Sequence, residues 1–256
     1  MLEHNPPANT YTLTLIPDPL IFRGLKSITL ADSQQVSILK LARAGIAVYS
    51  PHTAIDASPY GLGQWLAKLV AGDDQVTTSV IKPVTSGPKD EKFAGAGYGA
   101  VGTLSHPRSL SQVLSRLRAG LAVHQDTTLT GMLVARPRGA SDPKDLEDVQ
   151  IKSFAVCAGS GSSILACAPD VDLWVTGEMS HHEALKAVEE GRVVVTVSHS
   201  NSERRFLIDE LQPWLQQELR NNNLDHLQKV DVVVSSEDED PFRVVEVGQT
   251  LIERPF

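Results

Sequence analysis

The spacing of apolar residues changes period repeatedly along this chain. Helical spacing runs through Val36, Leu39 and Ala42 in residues 32–44. It returns in Leu62, Trp65, Leu66 and Leu69 of residues 59–71, and in Leu110, Val113, Leu114, Leu117 and Leu121 of residues 108–121. Short β-branched runs punctuate these segments and predict strands over 45–50, 128–135, 151–158, 172–176, 192–198 and 230–236. GSGSSILACA turns into a helix after the 151–158 run, residues 180–190 make another, and residues 200–220 predict one long helix with Phe206, Leu207, Leu211, Trp214 and Leu215 as its stripe. Leu13, Leu15 and Ile16 form a short apolar stretch behind a polar, proline-containing tail over 1–11. Residues 72–105, with the run GAGYGAVG at 95–102, are expected to be irregular.

Strands alternating with helices imply an α/β fold with mainly parallel or mixed sheets. The expected division is an atypical segment over 1–19, a first α/β lobe over 20–122 and a second over 123–256, with C-terminal elements packing back on the first. A chain of 256 residues has ample material for a core. Its formal net charge of −8 argues against a general nucleic-acid or membrane-surface binder, and no apolar run spans a bilayer. Cys157 and Cys167 are its two cysteines, which excludes a disulfide framework and a cysteine-based zinc motif and fits a reducing compartment. The N-terminus has neither a secretory nor a transit signature, so the cytoplasm is the expected location, with nucleus or mitochondrion open.

Ligands in open parallel sheets gather beyond the carboxyl ends of strands. In this chain His52 and Asp56, Glu178 with His181 and His182, and His199 with Glu203 follow strand ends. His199 and Glu203, four apart at a helix start, share one face and offer nitrogen and oxygen ligands suited to zinc, iron or manganese. Ser200-x-x-Glu203 is equally a capping box, in which the same carboxylate would serve a backbone N–H. His52 and Asp56 read either as a clamp on a metal pair or as a turn with a packed histidine. The turn 159–163, GSGSS, either presents N–H groups to a phosphate or simply starts a helix behind a serine cap, and Cys157 before it reads as core.

SPHTAIDA, GLGQWLA, GAGYGAVG, CAGSGSSIL, WVTGEMSHHEAL, VSHSNSERRFL and DEDPF, in that order, resemble the Nif-three-like family, whose members are also labelled NGG-interacting-factor-like proteins or GTP cyclohydrolase I type 2 homologues. The likeness extends over about residues 20–250 and is to the short, fungal-type form. It implies two α/β lobes with two divalent metal ions per subunit in the cleft between them, assembled as a homohexamer. Residue by residue, it implies that Asp56, His199 and Glu203 are metal ligands, that His52 lies beside the metals and that His181 and His182 line the pocket; if the protein is catalytic, His52 or His182 is the expected proton carrier. Asp18 stands where the family carries a metal histidine, and the family's leading strand–helix–strand unit has no counterpart here. The resemblance therefore implies a chain shortened at its N-terminus, with a sheet edge left bare. The activity it implies is metal-assisted hydrolysis of a nucleotide-like or phosphorylated substrate. The alternative is a non-catalytic regulatory partner of a transcription factor, with a structural or vestigial metal site.

Overall fold

The computed structural model describes residues 12–86, 90–122, 131–137, 146–221, 230–238 and 240–242. In chain order its elements are β1 (Leu13–Leu15), α1 (Ser33–Arg43), β2 (Ala47–Tyr49), α2 (Thr53–Ala57), α3 (Leu62–Ala71), β3 (Val76–Pro83), β4 (Gly97–Ser109), α4 (Leu110–Leu121), β5 (Leu133–Ala135), β6 (Gln150–Cys157), α5 (Ser162–Leu165), β7 (Leu173–Thr176), α6 (His181–Glu189), β8 (Val193–Thr196), α7 (Arg204–Phe206) and α8 (Gln212–Asn221). Six strands form one sheet in the order β3-β4-β6-β7-β8-β5, and β1 pairs with β2 in a second sheet. β6, β7 and β8 run parallel, as does the β1–β2 pair, while β3, β4 and β5 join antiparallel. The large sheet is thus mixed, as the α/β expectation allowed, and it unites strands from both sides of residue 122.

Side-chain alternation along the central strands explains the layering. Phe154 and Val156, Leu173 and Val175, and Val193 and Val195 point to one face, where Leu62, Leu66 and Val70 of α3 and Leu110, Val113 and Leu117 of α4 cover them. Ala155, Trp174 and Val194 point to the other face, toward Leu165 of α5 and Ala187 of α6. A strand buried on both faces reads as a continuous apolar run, which is how β7, β8 and the second half of β6, from Phe154 to Cys157, read in the sequence. Capping boxes start α4 at Ser109 and α6 at Ser180.

Three expectations are corrected. Residues 72–105 are not irregular: they supply β3 and most of β4, the latter thirteen residues long. The glycines are there because neighbours come close. A Cβ on Gly102 would lie 2.6 Å from the Phe154 ring, and one on Gly63 of α3 would lie 3.1 Å from the Gly99 backbone of β4. Residues 200–220 do not form one helix, since a 3-10 turn at Ser200–Ser202 and a π-helical turn at Leu207–Leu211 interrupt them. Residues 230–235 form no strand. Their backbone is bonded instead by α8 glutamines: Gln216 donates to Val230 O and accepts from Val232 N–H, and Gln212 donates to Val232 O. Of the expected strand 128–135, residues 133–135 form β5, and residues 128–130 lie outside the described residues, as does the tail 1–11.

The β1–β2 unit is built differently from the body. α1 carries no buried residue, and Leu13, Phe22, Leu30 and Tyr49 are exposed. Its parallel ladder continues into the loops beyond the strands, where Pro17 O accepts the His52 N–H at 2.9 Å.

Candidate metal centre

The parallel strands β1, β2, β7 and β8 end at one place. Asp18 lies three residues past β1, His52 three past β2, Glu178 two past β7 and His199 three past β8. This is the carboxyl-end geometry expected of a ligand site in parallel sheets. Asp18, His199 and Glu203 each offer a ligand atom, and those atoms lie within 4.8 Å of one another. His199 Nε2 is 3.6 Å from Glu203 Oε1, and His52 Nε2 is 3.8 Å from Asp18 Oδ1. Asp56, half-buried on α2, is coupled by charge to His52, Asp18 and His199 without belonging to the closest triad.

The backbone under these side chains is unusual. Among the described residues the non-glycine positions with positive φ are His52, at 45°, and Ser198, at 73°, the latter directly before His199. Such conformations carry on the order of 1–3 kcal/mol of strain each and concentrate at functional sites. Glu203 is held in place by its neighbours in sequence. The buried Arg204 pairs with Asp238, and Phe206 inserts into the core edge-on to Trp65 at 5.8 Å. Gly159, at φ 61°, leaves the space the ligands need: a Cβ there would lie 2.7 Å from Glu203 Oε1 and 3.2 Å from His199 Nε2.

The electrostatics are those of carboxylates gathered without enough positive charge. Burial raises the pKa of Asp56, and the charge on Asp18 adds to this against the lowering influence of His52 and His199. Burial also pushes Glu203 up, with Asp18, Asp56 and Glu178 adding repulsion. For His199, burial disfavours the charged ring, but the Glu178 hydrogen bond and the charges of Glu203, Glu178 and Asp18 outweigh it and raise the pKa. A divalent cation would neutralise this cluster, and three carboxylates with two imidazoles are a donor set suited to manganese, iron or zinc. The residues therefore fit the metal expected from the sequence.

The capping alternative for Glu203 is not realised, because no side-chain cap bonds form at the Ser200–Ser202 turn or at α7. The phosphate-cradle reading of residues 159–163 loses two of its five donors. Gly159 N–H donates to Ser202 Oγ at 2.8 Å and Gly161 N–H to Thr176 Oγ1 at 3.1 Å, so these donors are already used. Nor does a serine cap start α5, where Gly161 holds that position. His181 and His182 sit exposed on the first turn of α6, their rings in contact with each other at 5.4 Å and outside the charge-coupled cluster. Cys157 is a core thiol beneath the site, pushed up to about 12 by burial and by the charges of Asp56 and Glu203.

The sequence placed Glu178 past a strand end but gave it no role in the site. Its Oε1 lies 2.9 Å from His199 Nδ1 and accepts the Ser160 hydroxyl at 2.6 Å. The signal for it was positional: a carboxylate just past β7, the strand beside the one that delivers His199.

Residues 8–241 match the family described as Duf34/NIF3 (NGG1p interacting factor 3). The chain belongs to the Duf34/NIF3 family. A protein named NIF3 homolog from Schizosaccharomyces pombe is 39% identical over 87% of this chain and 73% of its own length. NGG1-interacting factor 3 of Saccharomyces cerevisiae is 36% identical over 83% of this chain and 67% of its own. In fold, a Bacillus cereus protein related to NIF3 superposes with a TM-score of 0.70 at 18% identity, covering 91% of this chain and 83% of the other. Reduced HcgD from Methanocaldococcus jannaschii superposes at 0.57 with 22% identity, over 80% of this chain and 70% of that one. The Duf34/NIF3 assignment agrees with the resemblance of the sequence motifs and with the mixed α/β architecture. Among the described residues no helix is long and apolar enough to cross a membrane.

Proposed function

We propose that this Duf34/NIF3 protein binds divalent metal through Asp18, His199 and Glu203, with Asp56 as a further ligand to a second ion, and uses the centre for hydrolysis. The observation that carries this reading is the convergence of the three ligand atoms within 4.8 Å. A bound divalent ion supplies Lewis acidity and lowers the pKa of water. The chain's own residues do the rest. Glu203 and Asp56, whose burial makes their negative charge unfavourable, gain from a cation. His52, on a strained backbone and 3.8 Å from Asp18, is placed to hold and pass a proton at the open side of the site. His182, outside the coupled cluster, is the weaker of the two proton-carrier assignments. A nucleotide-like or phosphorylated substrate would meet the ions rather than the 159–163 turn, whose N–H groups at Gly159 and Gly161 are occupied.

A second reading, a regulatory partner in transcription, has one support: the S. cerevisiae relative is named NGG1-interacting factor 3. Self-association as a hexamer is proposed from the family resemblance. The deciding experiment is elemental analysis of untagged protein prepared without chelator, beside the double variant H199A/E203A. Two ions per subunit in the parent and none in the variant is the expected result. Equal metal in both would overturn the assignment of these ligands. Metal with no hydrolysis of phosphomonoesters, phosphodiesters or nucleotides would favour the regulatory reading, and light scattering of the same samples tests self-association.

A further inference from the structure

We infer that Glu178 is a positioning residue that sets the tautomer and the ring orientation of His199. The inference rests on the metal-binding reading above but is read out separately from it. A neutral imidazole can ligate a metal only through the nitrogen that lacks a proton, so a hydrogen bond at one ring nitrogen decides which nitrogen is free. Glu178 Oε1 lies 2.9 Å from His199 Nδ1 and, as a carboxylate, can only accept. The proton is thereby held on Nδ1, which leaves the lone pair on Nε2. That nitrogen is the one 3.6 Å from Glu203 Oε1, on the side of the ligand cluster.

The mounting of Glu178 is rigid although its side chain reaches solvent. Ser160 Oγ donates to the same oxygen at 2.6 Å, and the Glu178 N–H donates to Gly159 O at 3.0 Å. Gly177 before it packs so closely that a Cβ would lie 2.7 Å from Gly159 O and 2.9 Å from His199 Cα. The β7 turn, the 159–163 turn and the His199 backbone are thus fitted to one another. Thr176 adds to this fit by donating to Gly159 O and accepting from Gly161 N–H, each at 3.1 Å. Helix capping does not explain Glu178, because Ser180 and Glu183 close the start of α6 without it. The role gives the GSGSS turn a purpose: Ser160 anchors the carboxylate, and Gly159 clears room for the ligands.

The experiment uses the full chain in three forms: parent, E178A and E178Q. Nitrogen-15 NMR of the His199 ring, assigned by its loss in H199A, is recorded on metal-free protein at a pH where the ring is neutral. The parent is expected in the Nδ1–H form, E178A shifted toward Nε2–H, and E178Q, which keeps an acceptor oxygen, close to the parent. Zinc affinity by chelator competition should weaken about 10–100-fold in E178A and distinctly less in E178Q. Unchanged tautomer in E178A, or zinc affinity equal to the parent's, would overturn the role. If E178A does not fold, E178M, which keeps the bulk of the side chain without an acceptor oxygen, is expected to behave as E178A and decides by the same two readings, and a parent ring found as Nε2–H refutes the inference outright. Failure of the metal reading looks different, since H199A/E203A would then bind zinc as the parent does while the metal-free tautomer still reports on Glu178.

Discussion

Ser180-x-x-Glu183 and Ser200-x-x-Glu203 follow neighbouring parallel strands, β7 and β8, and read alike as helix-capping boxes. The first is one. Ser180 N–H donates to Glu183 Oε2 at 3.0 Å, Ser180 Oγ accepts the Glu183 N–H at 3.4 Å, and a nine-residue helix follows. The second makes no such bonds. The chain turns at Ser198, runs through a three-residue 3-10 turn, and is pinned by Ser202, Arg204 and Phe206, leaving Glu203 beside His199. The two carboxyls also shift oppositely. Glu183 is held below its usual value by Ser180 and Ser162 hydroxyls, and Glu203 is pushed above by burial. One pattern therefore yields a structural cap where its carboxylate is solvated and a candidate ligand where tertiary neighbours confine it.

The largest test of this contrast is metal content. H199A/E203A should lose bound metal entirely, whereas S180A/E183A should keep it, as read by elemental analysis; loss of metal from the α6 variant would erase the distinction. Next in size is Asp18. D18A should weaken metal affinity by at least the roughly 10–100-fold that even an outer-shell partner is worth. D18H should turn preference from manganese toward zinc, because imidazole is the softer donor, and competition titrations with both ions would show it.

A smaller effect concerns pH in the metal-free protein. Asp56, Glu203 and His199 all hold their protons more tightly in the fold than in the unfolded chain. Their contribution is fully present below the unfolded values and is lost as pH rises through the raised folded ones, so stability should fall from mildly acidic toward alkaline pH. Glu178 and Glu183, whose values are lowered, act in the opposite sense only at lower pH, across the ordinary carboxylate range. Replacing Glu203 with Gln should flatten that decline and stabilise the metal-free protein above neutrality by on the order of 1 kcal/mol. Urea unfolding at a series of pH values checks the slope, and an unchanged slope in E203Q would count against Glu203 as its source. The smallest comparison is between the serines themselves. S180A should cost about 1 kcal/mol, or about 2–4 °C in Tm, and S200A should stay within about 0.5 kcal/mol because no cap is lost there.

Much of the architecture was legible in order and type because binary patterning is local. The helices α1, α3 and α4 and the strands β6, β7 and β8 follow directly from periods of 3.6 and 2 and from doubly buried β-branched runs. The misreadings share a cause. Gly97 to Gly102 looked like a breaker because glycine's usual meaning is conformational freedom, whereas here Gly97, Gly99 and Gly102 admit Val80, Ile81 and Phe154. VDVVVSS looked like a strand because of its composition, but Gln212 and Gln216 take the backbone bonds a neighbouring strand would have made. The break in 200–220 was hidden because the apolar stripe runs on through the π turn, with Leu207 and Leu211 still against the core.

By itself, the sequence determined the alternation of elements, the family and the positions at strand ends where chemistry was to be sought, because each is written in residue type and spacing. It also placed His199 and Glu203 four residues apart, a spacing that by itself suits a cap as well as a ligand, and only the tertiary structure showed that the cap bonds do not form. Asp18, some 180 residues away in sequence, had to arrive beside His199, and Gly159 had to make room. Glu178 had to meet the far side of the ring from the next strand over. Cap and ligand differ by a few ångströms in where one carboxylate rests, and that distance is set by packing between segments remote in the chain, about which local pattern carries no information.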